Sequence, residues 1–348
     1  MYFCNVMIEY DVTIGIPVYQ VEELIGRTMQ SVLAQIYPSI EFLVLDDGCT
    51  DKSMEIVRRL QSTHPRGKDI RIVTHACNLG VSEARNRIID EACGKYLYFM
   101  DSDDVINENT IALLFRHIQA FDADVVFGSY EKILPSGERI AYRYPQLSFE
   151  HEDEFANYAY RKYAGIQASA CNYLVKMSVL RDNGLRFFKS NFWEDTVFTL
   201  ELCTCVRRVV LLPEVTYSYI VRENSLSNNQ NQSQITKADI LQYFEAIETL
   251  KRNNGKIAMK AYYPNRCYIA LMSDFYIMCN VLKKRKGLGF EIGDKELMSY
   301  MSHPATISEI WSFKVLRLQN LFFYMLGRLP YACGMTLIRV LAKIKGLI

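Results

Sequence analysis

Three times within the first 104 residues, a short β-rich apolar run stops abruptly on polar side chains. DVTIGIP (Asp11–Pro17) leads into Val18-Tyr19-Gln20, and IEFLVL (Ile40–Leu45) into Asp46-Asp47-Gly48. KYLYFM (Lys95–Met100) leads into Asp101-Ser102-Asp103-Asp104. Between these runs lie segments with helical spacing. Leu24, Ile25, Met29, Val32 and Leu33 mark Glu22–Gln35, and Ser53–Ser62, Ser82–Ala92 and Asn109–Ala120 follow the same period. Ile70–Thr74 and Asp124–Phe127 supply two further strands. Short buried strands alternating with helices predict an α/β fold, with a mostly parallel sheet covered on both faces. Ligands of such sheets bind outside the carboxyl ends of the strands, where all three polar clusters fall.

The carboxylates of Asp101, Asp103 and Asp104 repel one another unless a cation or hydrogen-bond donors hold them. A hard divalent ion suits oxygen ligands and keeps water or phosphate oxygens in its remaining positions. The segment therefore reads as a strand end that presents a metal to a phosphorylated substrate, or more plainly as a solvated turn. A second acidic pair, Glu194-Asp195, opens the helical pattern Val197–Cys205. Acids in a first helical turn are favourable for dipole reasons alone, so spacing leaves a catalytic and a structural role equally open. Arg85 has a surface alternative in pairing with Glu83 or Glu91. Gly48 and Gly80 suit turns that need positive φ.

Composition removes several classes. Forty basic and thirty-nine acidic residues leave a net charge of +1, so the whole molecule carries no polyanion signal. The aromatics between Gly137 and Tyr163 are not interleaved with a basic stripe, which argues against nucleic-acid binding. Ten scattered cysteines, with Cys203-x-Cys205 lacking a second pair, and five histidines without metal spacing suggest reduced thiols in a cytoplasmic chain. Met1–Tyr10 does not look like a secretory signal. Residues 311–348 differ from the rest. Lys314, Arg317, Arg328, Arg339, Lys343 and Lys345 occur there with no acid, among apolar blocks too short to span a bilayer. Such a segment can lie at an anionic membrane surface, or pack on its own domain or a partner.

Five segments together carry a family resemblance: IGIPVYQ (Ile14–Gln20), SVLAQIYP (Ser31–Pro38), VLDDGCTDKS (Val44–Ser53), NLGVSEARN (Asn78–Asn86) and YLYFMDSDD (Tyr96–Asp104). In order and spacing the chain resembles the inverting family 2 glycosyltransferases of the GT-A fold, which use nucleotide-diphosphate sugars, and in particular bacterial surface-polysaccharide enzymes. The resemblance implies that Pro17, Val18 and Tyr19 line the base site and that Asp46 or Asp47 accepts from the base. It implies that Arg85 closes over the nucleotide. It makes Asp101-Ser102-Asp103 the DxD-type motif, with Asp103 and Asp101 holding Mn²⁺ or Mg²⁺ on the diphosphate and Asp104 a possible substitute. NFWEDT (Asn191–Thr196) is similar to the family's ED motif, which makes Asp195 the general base and Glu194 a neighbour that orients it or contacts the acceptor. Arg222, with Ser225, falls in the segment that reaches the diphosphate. Asn224–Gln234, rich in Asn, Gln and Ser, suits a closing flap as much as a passive linker, and Asn172 and Trp193 would help select the donor sugar. Cys49 and Gln20 depart from the usual serine and asparagine without removing a charge. No QxxRW element of processive synthases occurs.

The implied organisation is a GT-A domain over residues 1–235, with a nucleotide-sugar half (1–130) and an acceptor and catalytic half (131–235). A helical region follows over 236–348. The implied activity is metal-dependent transfer of a hexose or N-acetylhexosamine, from a UDP- or similar sugar, to a glycan or lipid-linked acceptor. The implied place is the cytoplasm or the inner membrane face. A nucleotidyltransferase would want a glycine-rich basic loop after the first strand, which IGIPVYQVEE does not provide. A degenerate nucleotide-sugar-binding scaffold is the non-enzymatic alternative.

Overall fold

The structure is a computed structural model that describes residues 10–161, 166–167, 169–222, 236–252, 257–285 and 287–348. In the first part of the chain the elements are β1 (Tyr10–Val18), α1 (Ile25–Leu33), β2 (Ile40–Asp46), α2 (Ser53–Thr63), β3 (Ile70–Thr74), α3 (Val81–Glu91), β4 (Gly94–Phe99), α4 (Thr110–Ala120) and β5 (Val125–Ile133). They continue as β6 (Arg139–Tyr142), β7 (Leu147–Phe149), α5 (Glu154–Arg161), β8 (Tyr173–Lys176), α6 (Met177–Asp182), α7 (Glu194–Cys205) and β9 (Val209–Ile220). The remainder is helical: α8 (Lys237–Arg252), α9 (Tyr263–Lys284), α10 (Asp294–Ser299), α11 (Ile307–Ser312), α12 (Arg317–Leu326) and α13 (Tyr331–Ile344). The described residues form two compact units. One holds everything up to Phe155 and then Gln167 to Arg222; the other holds 156–161, Ile166 and 236–348.

In the first unit a nine-stranded sheet runs β3-β2-β1-β4-β8-β5-β9-β7, with β6 beside β5. The pairs β1–β2, β2–β3 and β1–β4 are parallel, as their alternation with helices requires. Farther along, β8 lies antiparallel between β4 and β5, β9 is parallel to β5, and β7 is antiparallel to β9. The sheet is thus parallel over the nucleotide half and mixed beyond it. Sequence pattern could not separate the two, because strands buried on both faces look alike in either direction. In sequence, Arg207–Leu212 and Thr216–Val221 read as two strands parted at Pro213, whereas the structure joins them in one strand, β9. Register shifts at Phe127/Ser129 and Ser129/Tyr130 of β5 absorb the interruption at Pro213. The segment from Gly137 contains β6, β7 and α5.

The core explains why these runs form strands. All seven residues of β2 are buried, and each fully buried aliphatic side chain contributes about 1.5–3 kcal/mol relative to exposure. Against the sheet, α1 buries Ile25, Thr28, Met29, Val32 and Leu33 along one face. On the other helix that matters for the site, Ile88 of α3 sits where a side chain on Gly15 would be: a Cβ there would lie 2.4 Å from its Cγ2. Gly15 therefore lets α3, which carries Arg85, close onto β1.

The second unit is built on α9, whose Pro264 in the first turn suits a position with no intrahelical N–H partner. Thr306 and Glu309 form a capping box at α11. Asp274 is fully buried in α9, with Lys251 Nζ 2.6 Å from its carboxylate. Burial pushes its carboxyl up to about 7 despite that lysine.

Candidate active site at the carboxyl edge of the sheet

The first two polar clusters meet at the ends of β1 and β2, where Val18 stands opposite Asp46. Tyr19 follows, with its ring 47% exposed, while Pro17 is half-buried and Val18 buried. Gln20 adopts φ 50°. Its Oε1 accepts from the Thr50 and Asp51 N–H groups at 2.9 and 3.1 Å, so glutamine anchors the β2–α2 loop. Asp46 accepts from the Cys49 N–H at 2.9 Å. Asp47 is committed elsewhere. Its Oδ1 meets His75 Nδ1 at 2.7 Å and the Leu79 N–H at 3.0 Å, and its Oδ2 accepts from the Gly80 N–H at 2.9 Å. Gly80, at φ 92°, precedes α3. Asp47 therefore ties the end of β2 to the start of α3, which leaves Asp46 as the freer of the two acids for a ligand.

One turn into α3, Arg85 is buried and joins the two acidic motifs. Nη1 donates to Glu194 Oε1 at 2.8 Å and Nη2 to Asp101 Oδ1 at 2.9 Å. Burial opposes the charge on Arg85, but Asp101 and Glu194 outweigh it and hold the guanidinium protonated. Arg85 is thus not a surface partner of Glu83 or Glu91. It is a buried tie between residues 101 and 194. The backbone just before Glu194 is held at φ 58° on Trp193, in the left-handed region unfavourable to a bulky residue. Asp195 follows, partly exposed, with Oδ1 accepting from the Thr196 N–H at 2.7 Å. Burial, then Glu194, raises its carboxyl to about 7, with Arg85 and that N–H opposing.

The structure separates the DSDD acids, which sequence could not. Asp104 is fully buried. Its Oδ2 accepts from the Tyr217 hydroxyl at 2.6 Å and its Oδ1 from the Ile220 N–H at 2.8 Å. Both oxygens fasten β4 to β9, so Asp104 does not substitute as a metal ligand. Asp103 remains about a quarter exposed and forms an ion pair with Arg222. Ser102 lies in the turn between Asp101 and Asp103. We expect Asp104→Ala to lower stability by about 2–3 kcal/mol, because it strands two buried donors. Asp103→Ala should leave the thermal midpoint nearly unchanged and weaken donor binding. Melting curves beside nucleotide titration of both variants will distinguish these roles.

Sequence reasoning missed Arg27. It is exposed in the first turn of α1, and its Nη2 donates to the Asp103 carbonyl at 3.0 Å, while the neighbouring Thr28 hydroxyl donates to the Asp104 carbonyl at 2.8 Å. A cation in a first helical turn is disfavoured by the dipole, and that was the available signal. Burial and repulsion from Arg27 lower the pKa of Arg222, so two guanidinium groups gather beside Asp103. Asn172 is buried, donates to the Gly128 carbonyl and accepts from the Thr216 hydroxyl at 2.6 Å. It braces the sheet rather than selecting a sugar. Ser225 and Asn224–Gln234 lie outside the described residues.

The donor set fits a hard divalent cation that completes its shell with substrate. Asp101 and Asp103 offer partly exposed carboxylates, 33% and 23% accessible. Among the described residues no three His, Cys, Asp or Glu side chains gather to hold a metal. Two carboxylates plus phosphate oxygens and water is the arrangement such ions accept.

A mixed nine-stranded sheet flanked by helices, with a carboxylate pair, two guanidinium groups and a second acidic motif gathered around Arg85 and Asp103, has the α/β architecture of the GT-A structures it resembles. The comparisons agree. The model of glycosyl transferase family 2 matches residues 13–184, and that stretch of the chain belongs to that family. It is 28% identical over 231 residues to glycosyltransferase GlyA of Streptococcus pneumoniae serotype 4, covering 64% of this chain and 32% of that one. It thus spans about a third of that relative's length. Among solved structures, S. aureus TarS 1–349 in complex with UDP-GlcNAc superposes with TM-score 0.64 at 17% identity, over 93% of this chain and 92% of that one. Mannosyltransferase PcManGT from Pyrobaculum calidifontis, in complex with GDP-Man and Mn²⁺, gives 0.51 at 16% identity over 92% and 86%. At these identities the two structures speak for the fold. No helix among the described residues is long and apolar enough to cross a membrane.

Proposed function

We propose that the protein is a metal-dependent, inverting glycosyltransferase of bacterial surface-polysaccharide synthesis. In this reading it moves a hexose or N-acetylhexosamine from a nucleotide-diphosphate sugar to a glycan or lipid-linked glycan. The observation that carries it is the Arg85 bridge between Asp101 and Glu194, which couples the donor-side and acceptor-side carboxylates through one buried cation. UDP is the first nucleotide to test, since the TarS structure that shares the fold holds UDP-GlcNAc.

In this reading Tyr19 and Asp46 take the base. Asp101 and Asp103 would hold a divalent cation, which when bound would neutralise charge on the leaving diphosphate. Arg222, and Arg27 beside it, exchange their contacts at Asp103 for phosphate oxygens, which guanidinium groups match in pairs. Asp195 takes the proton of the acceptor hydroxyl as its oxygen bonds to the anomeric carbon from the face opposite the diphosphate. The anomeric carbon–phosphate oxygen bond breaks with its electron pair on the diphosphate, and configuration inverts. Glu194, fixed by Arg85, keeps its neighbour's carboxylate aimed.

Calorimetric titration with UDP, GDP and dTDP, each with and without Mn²⁺, tests the donor side. Metal-dependent binding of one of the three is expected. No binding of any of them to folded protein would favour a degenerate scaffold.

A further inference from the structure

The second unit carries a surface that the transfer chemistry leaves unused. Between α9, α12 and α13 runs an apolar groove of about 380 Å³, lined by Tyr268, Met272, Phe275, Phe322, Leu341 and Lys345 among others. On α12, Leu318, Phe322 and Met325 recur at i, i+4 and i+7 and so share one face. They are 76%, 41% and 55% exposed, while Asn320, Phe323 and Leu326 on the opposite side are buried. On α13, Val340 and Ile344 repeat the pattern at 47% and 77% exposure, opposite buried Met335, Ile338 and Ala342. A helix face this apolar has a use beyond packing on its own unit.

Charge selects the occupant. Of the six cations in residues 311–348, Arg339 pairs with Asp294 at 2.6 Å, and Arg328 lies 3.6 Å above the Tyr324 ring. Lys314, Arg317, Lys343 and Lys345 are exposed without a carboxylate partner among the described residues, and Lys345 stands at the groove itself. The stretch contains no acid. Two acids of the same unit are already engaged: Asp294 by Arg285 and Arg339, and Glu309 by its capping box. A second copy seated symmetrically on this face would set the same basic stretch against itself, which like-charge repulsion opposes.

We propose that this face docks on an anionic bilayer, with α12 and α13 lying in the headgroup plane and the groove admitting an acyl chain. The cations meet lipid phosphate while Leu318, Phe322, Met325 and Ile344 enter the boundary of the acyl region. The proposal does not depend on the glycosyl-transfer reading.

Point variants are the proper test, because truncation before Trp311 would also remove Phe313, Phe323, Met335 and Ile338 from the unit's core. Full-length protein should sediment with vesicles of phosphatidylcholine mixed with phosphatidylglycerol but not with phosphatidylcholine alone, and less so in high salt. The triple variant Leu318→Gln/Phe322→Gln/Met325→Gln and the double variant Lys343→Gln/Lys345→Gln should each reduce partitioning about tenfold or more. Their melting curves should stay unchanged. Titration with monomeric dihexanoyl phosphatidylglycerol should shift the methyl NMR signal of Met272 inside the groove. Equal binding to neutral and anionic vesicles, unchanged binding by the variants, or a still Met272 signal would overturn the proposal. So would concentration-dependent dimerisation without lipid that the α12 variant abolishes.

Discussion

Arg85→Lys should lower kcat/KM by about a hundredfold or more, although it conserves charge. Lysine cannot present two donors in a fixed fork, so it can satisfy Asp101 or Glu194 but not hold both. The abandoned carboxylate is then buried or half-buried beside Asp195 and drifts from its aim, and misplacements of about 1 Å can cost about a hundredfold in rate. Arg85→Met should be worse, also destabilising the fold by about 3–5 kcal/mol, because removing one partner of a buried ion pair strands the others. Steady-state kinetics and melting curves of both variants give the readout. A lysine variant that retained wild-type turnover would show that the bridge is only a structural tie.

Asp195→Asn should abolish transfer, by about 10²–10⁴-fold if proton removal is its role. Affinity for the nucleotide should be nearly intact, since Asp195 bonds to the Thr196 N–H at the head of α7 and is no part of the base-side cluster at the ends of β1 and β2. The pH profile adds a second signature. Burial and Glu194 raise the Asp195 carboxyl to about 7, and the base is active when ionised, so kcat/KM should climb as pH rises through neutrality and then level off. The linkage to stability has the opposite sense. A folded pKa above the ordinary carboxylate value of about 3.9 means that the native state binds more protons than the unfolded chain between about pH 4 and 7. Its contribution to stability therefore falls as pH rises through that window, and Asp195→Asn should flatten this slope. Unchanged turnover in the asparagine variant would remove Asp195 from the role of base.

The parallel half of the sheet was legible because alternation is a local property. A strand such as Ile40–Asp46, buried on both faces, reads as an unbroken apolar run, and the helix after it has its own period. The polar clusters at the strand ends were legible for the same reason. Beyond Phe127 the pattern lost its power. Antiparallel β8 and the single long β9 are set by pairings with residues 46 or more positions away in the chain, and no local signal records direction. The Gly137–Tyr163 stretch concealed two short strands and a helix, because exposed positions such as those of β6 carry no core-facing alternation.

At the site, the chain's own order of residues determined which chemistry was present: three acids after β4, an acidic pair at the head of α7, and arginines before and after them. Tertiary structure decided what each of these residues does. Three acids adjacent in sequence differ because Asp104 points to Tyr217 and Ile220, Asp103 to Arg222 and Asp101 to Arg85. Asp46 and Asp47 part in the same way, since only Asp47 is captured by the loop before α3. Arg27 acquires a place at the site through a contact 76 residues away. Charge and hydrogen-bonding capacity belong to a residue's type and are written in the sequence. Burial and the choice of partner depend on which distant segments the fold brings within about 3 Å, and these divide acids of one kind into ligand, base and brace.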